Sequence, residues 1–237
     1  KNFIQAWLAE FWVEDVSKMS STTLKNNIKD YQKTTVLPDT KIITAGIDTQ
    51  DNGFYVVVRG FFNGRQSYVL DEFFIESKIM RDTADDIAKK FLNLIFNRIY
   101  ADENGNKWKI AVTAIDSGGH RTKILYEVKE YIPKLILVKG RDSQNVTIKF
   151  NNDLDLYLVR TIEYLDETEL LSNSKENFWF PKNISEDFLN QYTNVRKFKK
   201  ENKETGESVV KYKRVGQYDY RMADIHTFIC LDVPYEE

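Results

Sequence analysis

The chain has 237 residues, 42% hydrophobic and 14% aromatic, with 34 basic against 36 acidic side chains for a formal net charge of −2. That composition can bury a sizeable core in one large or two small domains, and its near-neutral balance excludes a strongly basic coat while leaving room for a local basic face. Apolar runs such as YVVVRGFF and KLILVKG fall far short of the roughly 20 residues of a membrane span, the single cysteine, Cys230, excludes a disulfide framework and a cysteine-based zinc site, and only two histidines leave any metal to oxygen ligands.

No charged-then-apolar leader opens the sequence, which points to the cytoplasm, and a first residue other than Met suggests an excised piece of a longer chain. Residues 1–38 read as a helical opening with aromatic anchors Phe3, Trp7, Phe11 and Trp12, then a Ser/Thr cluster and a short second helix closed by Pro38. This segment reads as a lead-in, with the domain proper over 39–237. From Lys41 the pattern turns to strands: KIITAGID, FYVVVRGFF and RQSYVLDEFF, with Asp51-Asn52-Gly53 and Asn63-Gly64 as turns, predict a three-stranded antiparallel meander. MRDTADDIAKKFLNLIFNRIY sets Ile87, Phe91, Leu94 and Ile95 on one helical face, with Asp82 or Thr83 near its cap. A strand WKIAVTAID, a Gly-Gly turn, a helix RTKILYEVKEYI and a strand KLILVKG follow. The order implies an α/β fold: a mixed sheet of three antiparallel strands then parallel strands, flanked by helices. Beyond Gly140, DLYLVRTIEYLDETELL reads as a helix, NFWFP as a short strand, and SEDFLNQYTNV as a helix capped by Ser185. RKFKKENKETGESVVKYKRV reads as a hairpin turning at Thr205-Gly206, and YDYRMADIHTFICLD as a closing helix with Met222, Ile225, Phe228 and Ile229 on its apolar face.

Two of these strands, TAGID and TAID, end on an aspartate, Asp48 and Asp116. If they lie side by side and parallel, both carboxylates meet at one sheet edge. Asp224, on the polar side of the closing helix, is the third acid able to approach that edge; Asp219, about one turn away, is its competitor. Three converging acids repel one another unless a cation lies between them, which argues for Mg2+ or Mn2+ held by oxygen. His120 and His226 each neighbour a proposed acid and are candidate auxiliary ligands or proton carriers. Asp71 and Glu72, ending the third strand, are a further acidic candidate, and Asp51 caps the Asp-Asn-Gly turn or adds an outer carboxylate. The plainer alternative makes each aspartate a turn residue or part of a solvated helix face.

Several stretches resemble one family: TAGIDTQDNGF (44–54), SYVLDEFFI (67–75), AIDSGGHRT (114–122), VKGR (138–141), FWFPKNISEDFLNQYT (178–193) and YRMADIHTF (220–228). In this order they resemble the C-terminal nuclease domain of a phage terminase large subunit of the GpA, lambda-like, type, and the layout resembles a ribonuclease H-like fold. NFIQAWLAEFWVED resembles the chain leaving the packaging ATPase. The resemblance implies a metal-dependent endonuclease that cuts concatemeric viral DNA as packaging starts and ends, in the host cytoplasm. Its implied partners are double-stranded DNA, an ATPase domain of the same parent chain, the terminase small subunit and the portal protein. Carried over, Asp48, Asp116 and Asp224 are the metal-binding acids. Asn194 stands where the family commonly has an acid.

A two-metal hydrolysis, with ions about 3.5–4 Å apart, would give Asp48 the bridging position and Asp116 and Asp224 one ion each. Lys139 and Arg141 beside a strand end, and Arg196, Lys197, Lys199, Lys200, Lys211, Lys213 and Arg214 on the hairpin, are candidates for DNA phosphates; Glu201, Glu204 and Glu207 on the same hairpin fit a solvated face equally well. A recombinase or Holliday-junction resolvase would use the same acids. A sugar-kinase or actin type ATPase would normally duplicate its fold, and no internal repeat is found. A non-catalytic interaction module would take up no metal at Asp48.

Overall fold

The computed structural model describes residues 14–17, 19–78, 81–201 and 208–234. Strand β1 (Glu14–Ser17), helix α1 (Ser21–Lys25) and strands β2 (Ile28–Lys29) and β3 (Thr35–Val36) lead to the meander β4 (Ile42–Gln50), β5 (Gly53–Phe61) and β6 (Ser67–Glu76). Helix α2 (Ala84–Phe91) starts at a capping box, in which Thr83 accepts from the Asp86 amide and Asp86 accepts from the Thr83 amide, and it continues into a π-helical turn (Leu92–Phe96). Short strands β7 (Tyr100–Asp102) and β8 (Lys107–Trp108) precede β9 (Val112–Asp116), α3 (Thr122–Tyr131) and β10 (Leu135–Gly140). The remainder is β11 (Ile148–Asn151), β12 (Leu156–Val159), α4 (Thr161–Ser172), β13 (Phe178–Pro181), α5 (Glu186–Thr193), the hairpin β14 (Val195–Glu201) and β15 (Ser208–Arg214), and the closing helix α6 (Asp219–Asp232).

The main sheet runs β11-β12-β10-β9-β4-β5-β6-β13-β2. β4, β5 and β6 pair antiparallel, while β9 pairs parallel with β4 and β10 parallel with β9, so the mixed sheet expected from the sequence is the one observed. Successive strand residues face opposite sides. Ile43, Ala45 and Ile47 of β4 therefore join Ile87, Phe91, Leu125 and Val128 of α2 and α3 in one core. On the other face Val112 and Ala114 of β9 join Ala223, Ile225, Phe228 and Ile229 of α6 and residues of α4 and α5.

Helix α6 is buried on nearly every side, as expected of a central helix. It lies directly on β4: a Cβ added at Gly46 would stand 1.9 Å from the Ala223 carbonyl oxygen and 2.7 Å from the Thr227 nitrogen. The hydroxyl of Thr44 donates to the Thr227 carbonyl at 2.9 Å. Among the described residues no helix is long and apolar enough to cross a membrane.

Residues 19–36, read from the sequence as part of a lead-in, pack onto the domain: β2 pairs with β13 as the sheet's edge, Leu24 and Val36 are fully buried, and the Tyr31 hydroxyl donates to the Val69 carbonyl. Two expectations change. The helix expected over 155–171 begins as strand β12, whose parallel pairing with β10 takes Leu156 and Leu158 into the sheet before α4 starts. The strand expected over 108–116 is divided, since Trp108 belongs to β8, part of a separate three-stranded sheet with β3 and β7. The helix expected around Phe3–Trp12 and the turn at Thr205-Gly206 lie outside the described residues.

Because backbone and not a flexible side chain occupies the space over Gly46, Gly46→Ala is expected to cost about 1–3 kcal/mol or more. Urea denaturation of the two proteins measures it, and an unchanged midpoint would contradict the packing described.

Candidate active site

The placement of Asp48 and Asp116 follows from strand alternation and register. Ile47 pairs with Ile115 across the parallel β4–β9 junction, and both isoleucines point into the α2/α3 core. The next residue on each strand, Asp48 and Asp116, therefore turns to the α6 face, where β9 ends and the β4–β9 pairing stops. The Thr49 hydroxyl donates to the Asp116 carbonyl at 2.7 Å and fixes the junction. Asp48 is buried and Asp116 half-buried, its Oδ1 accepting from the Gly118 amide at 3.0 Å.

The third acid in this corner is Asp219. The Gln50 side-chain amide donates to Asp48 Oδ2 at 2.7 Å and to Asp219 Oδ1 at 3.1 Å, linking the two carboxylates, and Gln217 donates to Asp219 Oδ2 at 2.9 Å. Asp224 is elsewhere, which corrects the expectation that it meets Asp48 and Asp116. Five residues further along α6, it projects about 140° around the axis from Asp219. There it is fully buried, accepting from Arg59 Nε at 2.9 Å and Nη2 at 2.7 Å, and from the Tyr192 hydroxyl. Arg59 itself lies 4.0 Å from the centre of the Phe178 ring. Burial raises the Asp224 pKa and the Arg59 guanidinium opposes that rise. This is a two-point ion pair in the core, with no oxygen turned to the strand ends.

Asp71 is also apart: its carboxylate pairs with Arg98 at 2.5 Å and accepts from the Glu72 amide at 2.9 Å. Glu72 pairs with Lys33 at 3.0 Å and accepts from the Ser185 amide. His226 is buried beneath β4, its Nδ1 2.9 Å from the Ile47 carbonyl. A carbonyl only accepts, so that nitrogen carries the proton. Burial lowers the imidazole pKa, and the charge of Asp116 opposes the shift. The side chains of His120 and Lys200 lie outside what is described. Lys139 and Arg141 are exposed beyond β9; because Val138 pairs with Asp116, Lys139 faces the opposite side of the sheet by alternation. On the hairpin, Lys199, Lys211 and Lys213 are exposed, and register divides them, with Lys199 on the face of Tyr212 and Arg214 and the other two on the reverse.

Burial pushes the Asp48 carboxyl well above the usual carboxylate range; the Gln50 hydrogen bond opposes this, Asp116 and Asp219 add to it, and Arg214 opposes it. Burial also raises Tyr218, with the charges of Asp48, Asp219 and Asp116 adding and that of Arg214 opposing. Gln50, Gln217 and Tyr218 are thus members of the corner that motif reasoning passes over. A sequence signal for Asp219 does exist. Asp219, Ala223, His226, Thr227 and Cys230 share one helical stripe, and apart from Asp219 and His226 it is made of residues small enough to lie on Gly46.

The sheet order β6-β5-β4-β9-β10, with acids just past the last paired residues of β4 and β9 and α6 across them, defines a ribonuclease H-like fold. Residues 1–225 match the family model described as terminase large subunit gpA, endonuclease domain, and the chain belongs to that family. It is 27% identical to a terminase large subunit of Enterobacteria phage P21 over 144 residues and 25% identical to that of Escherichia phage lambda over 142 residues, in each case 59% of this chain and 22% of the relative. It therefore spans only part of those relatives' length. The large terminase of a thermophilic bacteriophage aligns with 87% of this chain and 42% of its own at a TM-score of 0.50 and 14% identity. The HK97 bacteriophage large terminase aligns with 88% of this chain and 42% of its own at a TM-score of 0.53 and 10% identity. At those identities the likeness is one of fold.

Removing one member of a buried pair strands the other's charge. Asp224→Ala is expected to lose about 3–5 kcal/mol of unfolding free energy, and Arg59→Met combined with Asp224→Leu to recover much of it. A double-mutant cycle by chemical denaturation reads both, and additive losses would rule out the coupling.

Proposed function

We propose that this chain is a metal-dependent endonuclease that cuts concatemeric double-stranded viral DNA during genome packaging, with Asp48, Asp116 and Asp219 as its acidic centre. The observation carrying this reading is that Asp48 and Asp116 each follow the last paired residues of parallel β4 and β9, Ile47 and Ile115, with Gln50 joining Asp48 to Asp219. The family match supports the nuclease role. The packaging ATPase of the same parent chain, the terminase small subunit and the portal protein are the proposed partners, and the host cytoplasm the proposed location.

Among the described residues no three acidic or imidazole groups are gathered closely enough to hold an ion as they stand. The donor chemistry nevertheless fits Mg2+ or Mn2+, in a pair or singly. The candidate ligands are all oxygens, and Asp48 is buried, feels the charges of Asp116 and Asp219 and has the Gln50 amide as its hydrogen-bond partner, so the corner is short of positive charge. Mg2+ in particular needs only one or two carboxylates, with waters and phosphate completing its shell. Bound there, a divalent ion would offset phosphate charge and make water a stronger nucleophile. The chain's own residues have separate tasks. Asp48, Asp116 and Asp219 supply the ligand oxygens. Gln50 and the Gly118 amide fix their orientation, and neutral His226 supports β4 from below. Arg141, Lys199, Lys200, Lys211 and Lys213 are proposed contacts for flanking phosphates, giving position without sequence preference; Lys139, on the sheet face opposite the acids, is left out of that set.

Asp48→Asn, Asp116→Asn and Asp219→Asn are each expected to slow plasmid nicking in Mn2+ by about 100-fold or more, a loss of roughly 3 kcal/mol of transition-state stabilisation. Asp48 and Asp116 variants that nick at the parental rate would remove the assignment.

Stability gives a separate test. With its folded pKa above the unfolded value of 3.8, Asp48 binds more proton in the native state than in the unfolded chain only in the window between the two values. Stability contributed by this group is therefore full below that value and declines as pH rises to the folded pKa. At neutral pH in chelator, Asp48→Asn should raise Tm, at about 2–4 °C for each kcal/mol relieved in a domain of this size. Mn2+ should stabilise the parent and not the variant, which differential scanning calorimetry will show.

A further inference from the structure

Arg214 ends β15 five residues before Asp219, and it is exposed. Its guanidinium carbon lies 4.9 Å from the centre of the Tyr218 ring, and its Nε donates to the Gly216 carbonyl at 3.0 Å. Nη1 and Nη2 make no hydrogen bond or ion pair with the described residues, so a stacked and half-tethered guanidinium keeps its outer fork of donors free. The turn beneath is fixed by Asn194, whose side-chain amide donates to the Gln217 carbonyl at 2.7 Å and whose carbonyl accepts from the Val215 amide at 2.8 Å. A Cβ at Gly216 would stand 2.7 Å from that same amide nitrogen, so the turn is packed against its clamp.

Two side chains of this turn, Arg214 and Tyr218, adjoin the acid corner. Tyr218 immediately precedes Asp219, Gln217 beside it donates to Asp219, and Arg214 stacks on the Tyr218 ring, with its charge opposing the rise of the Asp48 pKa. A fixed guanidinium with two free nitrogens beside a metal-binding corner has the geometry for two-point contact with a phosphate. The exposed hairpin lysines, by contrast, are divided between two faces.

We propose that Arg214 binds the DNA phosphate presented to the acid corner and that Tyr218 is its positioning residue, holding the guanidinium by ring stacking. This rests on the nuclease reading above. Asn194 acts one step further back, through the turn.

The test measures duplex DNA binding against salt in the Asp48→Asn background, where cutting is suppressed, with and without Arg214→Ala. Loss of one phosphate contact should make the slope of log K against log salt shallower by about 0.9. It should weaken binding evenly across DNA sequences. In the parent background Arg214→Ala should lower cleavage by about 10-fold or more with Mn2+ affinity by calorimetry undiminished, and Arg214→Lys should restore the salt slope but only part of the rate. Tyr218→Leu should raise KM more than it lowers kcat, with Tyr218→Phe recovering most of the loss because the ring is kept. An unchanged salt slope in Arg214→Ala, or Mn2+ binding weakened as much as cleavage, overturns the proposal. If Asp48→Asn itself still cuts at the parental rate, the nuclease site as assigned has failed instead, so the two failures are distinguishable.

Discussion

The candidate site depends on the contact between α6 and β4 at Gly46. A helix resting on a sheet normally stands off by the length of the intervening side chains. Here the Ala223 carbonyl and Thr227 nitrogen occupy the volume that a Cβ would take, and Thr44 and Cys230 reach across to the opposing backbone. That approach brings the first turn of α6 to the ends of β4 and β9. A short side chain such as aspartate can then share an amide with Asp48 through Gln50.

The same helix carries two buried aspartates with opposite electrostatic fates. Asp224 faces Arg59, receives two charge-assisted hydrogen bonds and a third from Tyr192, and is locked into the core. Asp219 faces Gln50 and Gln217, which orient it without neutralising it. A buried pair contributes little beyond what an apolar substitute of equal shape would give, so the Arg59–Asp224 pair is best understood as fixing the rotation of α6. With Asp224 committed to Arg59, the helix can present only the stripe containing Asp219, Ala223 and His226 to β4. The uncompensated corner is thus set by a compensated one between one and two turns away on the same helix.

Much of this is readable from residue order. Ile47-Asp48 and Ile115-Asp116 sit on strands whose alternation sends both isoleucines to one core and both acids to the other face, and the meander followed by crossovers predicts the central strand order. The helix acid is misread for a physical reason. Polarity patterns treat an aspartate on an apolar helix as the residue turned away from the core, and Asp224 is turned into it. The missing signal is Arg59, a charge inside the apolar run YVVVRGFF; a fully buried strand arginine needs a buried counter-ion, and the closing helix has to supply it. Strand β12 reads as helix because Leu156, Leu158 and Val159 suit either period over so short a run. The edge strand β2 has two residues and no periodicity to detect.

The hairpin shows how the site corner is joined to the rest of the molecule. Its underside is tied to α4, where the Tyr212 hydroxyl donates to Asp166 with Glu169 Oε2 3.0 Å away as its alternative acceptor, and Lys197 pairs with Asp166 at 2.6 Å. Its base is tied to α5 through Asn194, and its last residue is Arg214. Burial raises the Tyr212 pKa far beyond the accessible range, and both carboxylates add to the shift, so the phenol stays protonated and remains a donor. Any displacement of the hairpin must therefore break charge-assisted bonds to α4 or pivot beyond Tyr212, at the four residues between Arg214 and Asp219. Those residues are the ones clamped by Asn194. The chain thus delivers a cation and an acid to one corner from the two ends of a single turn, and the rigidity of that turn sets the distance between them.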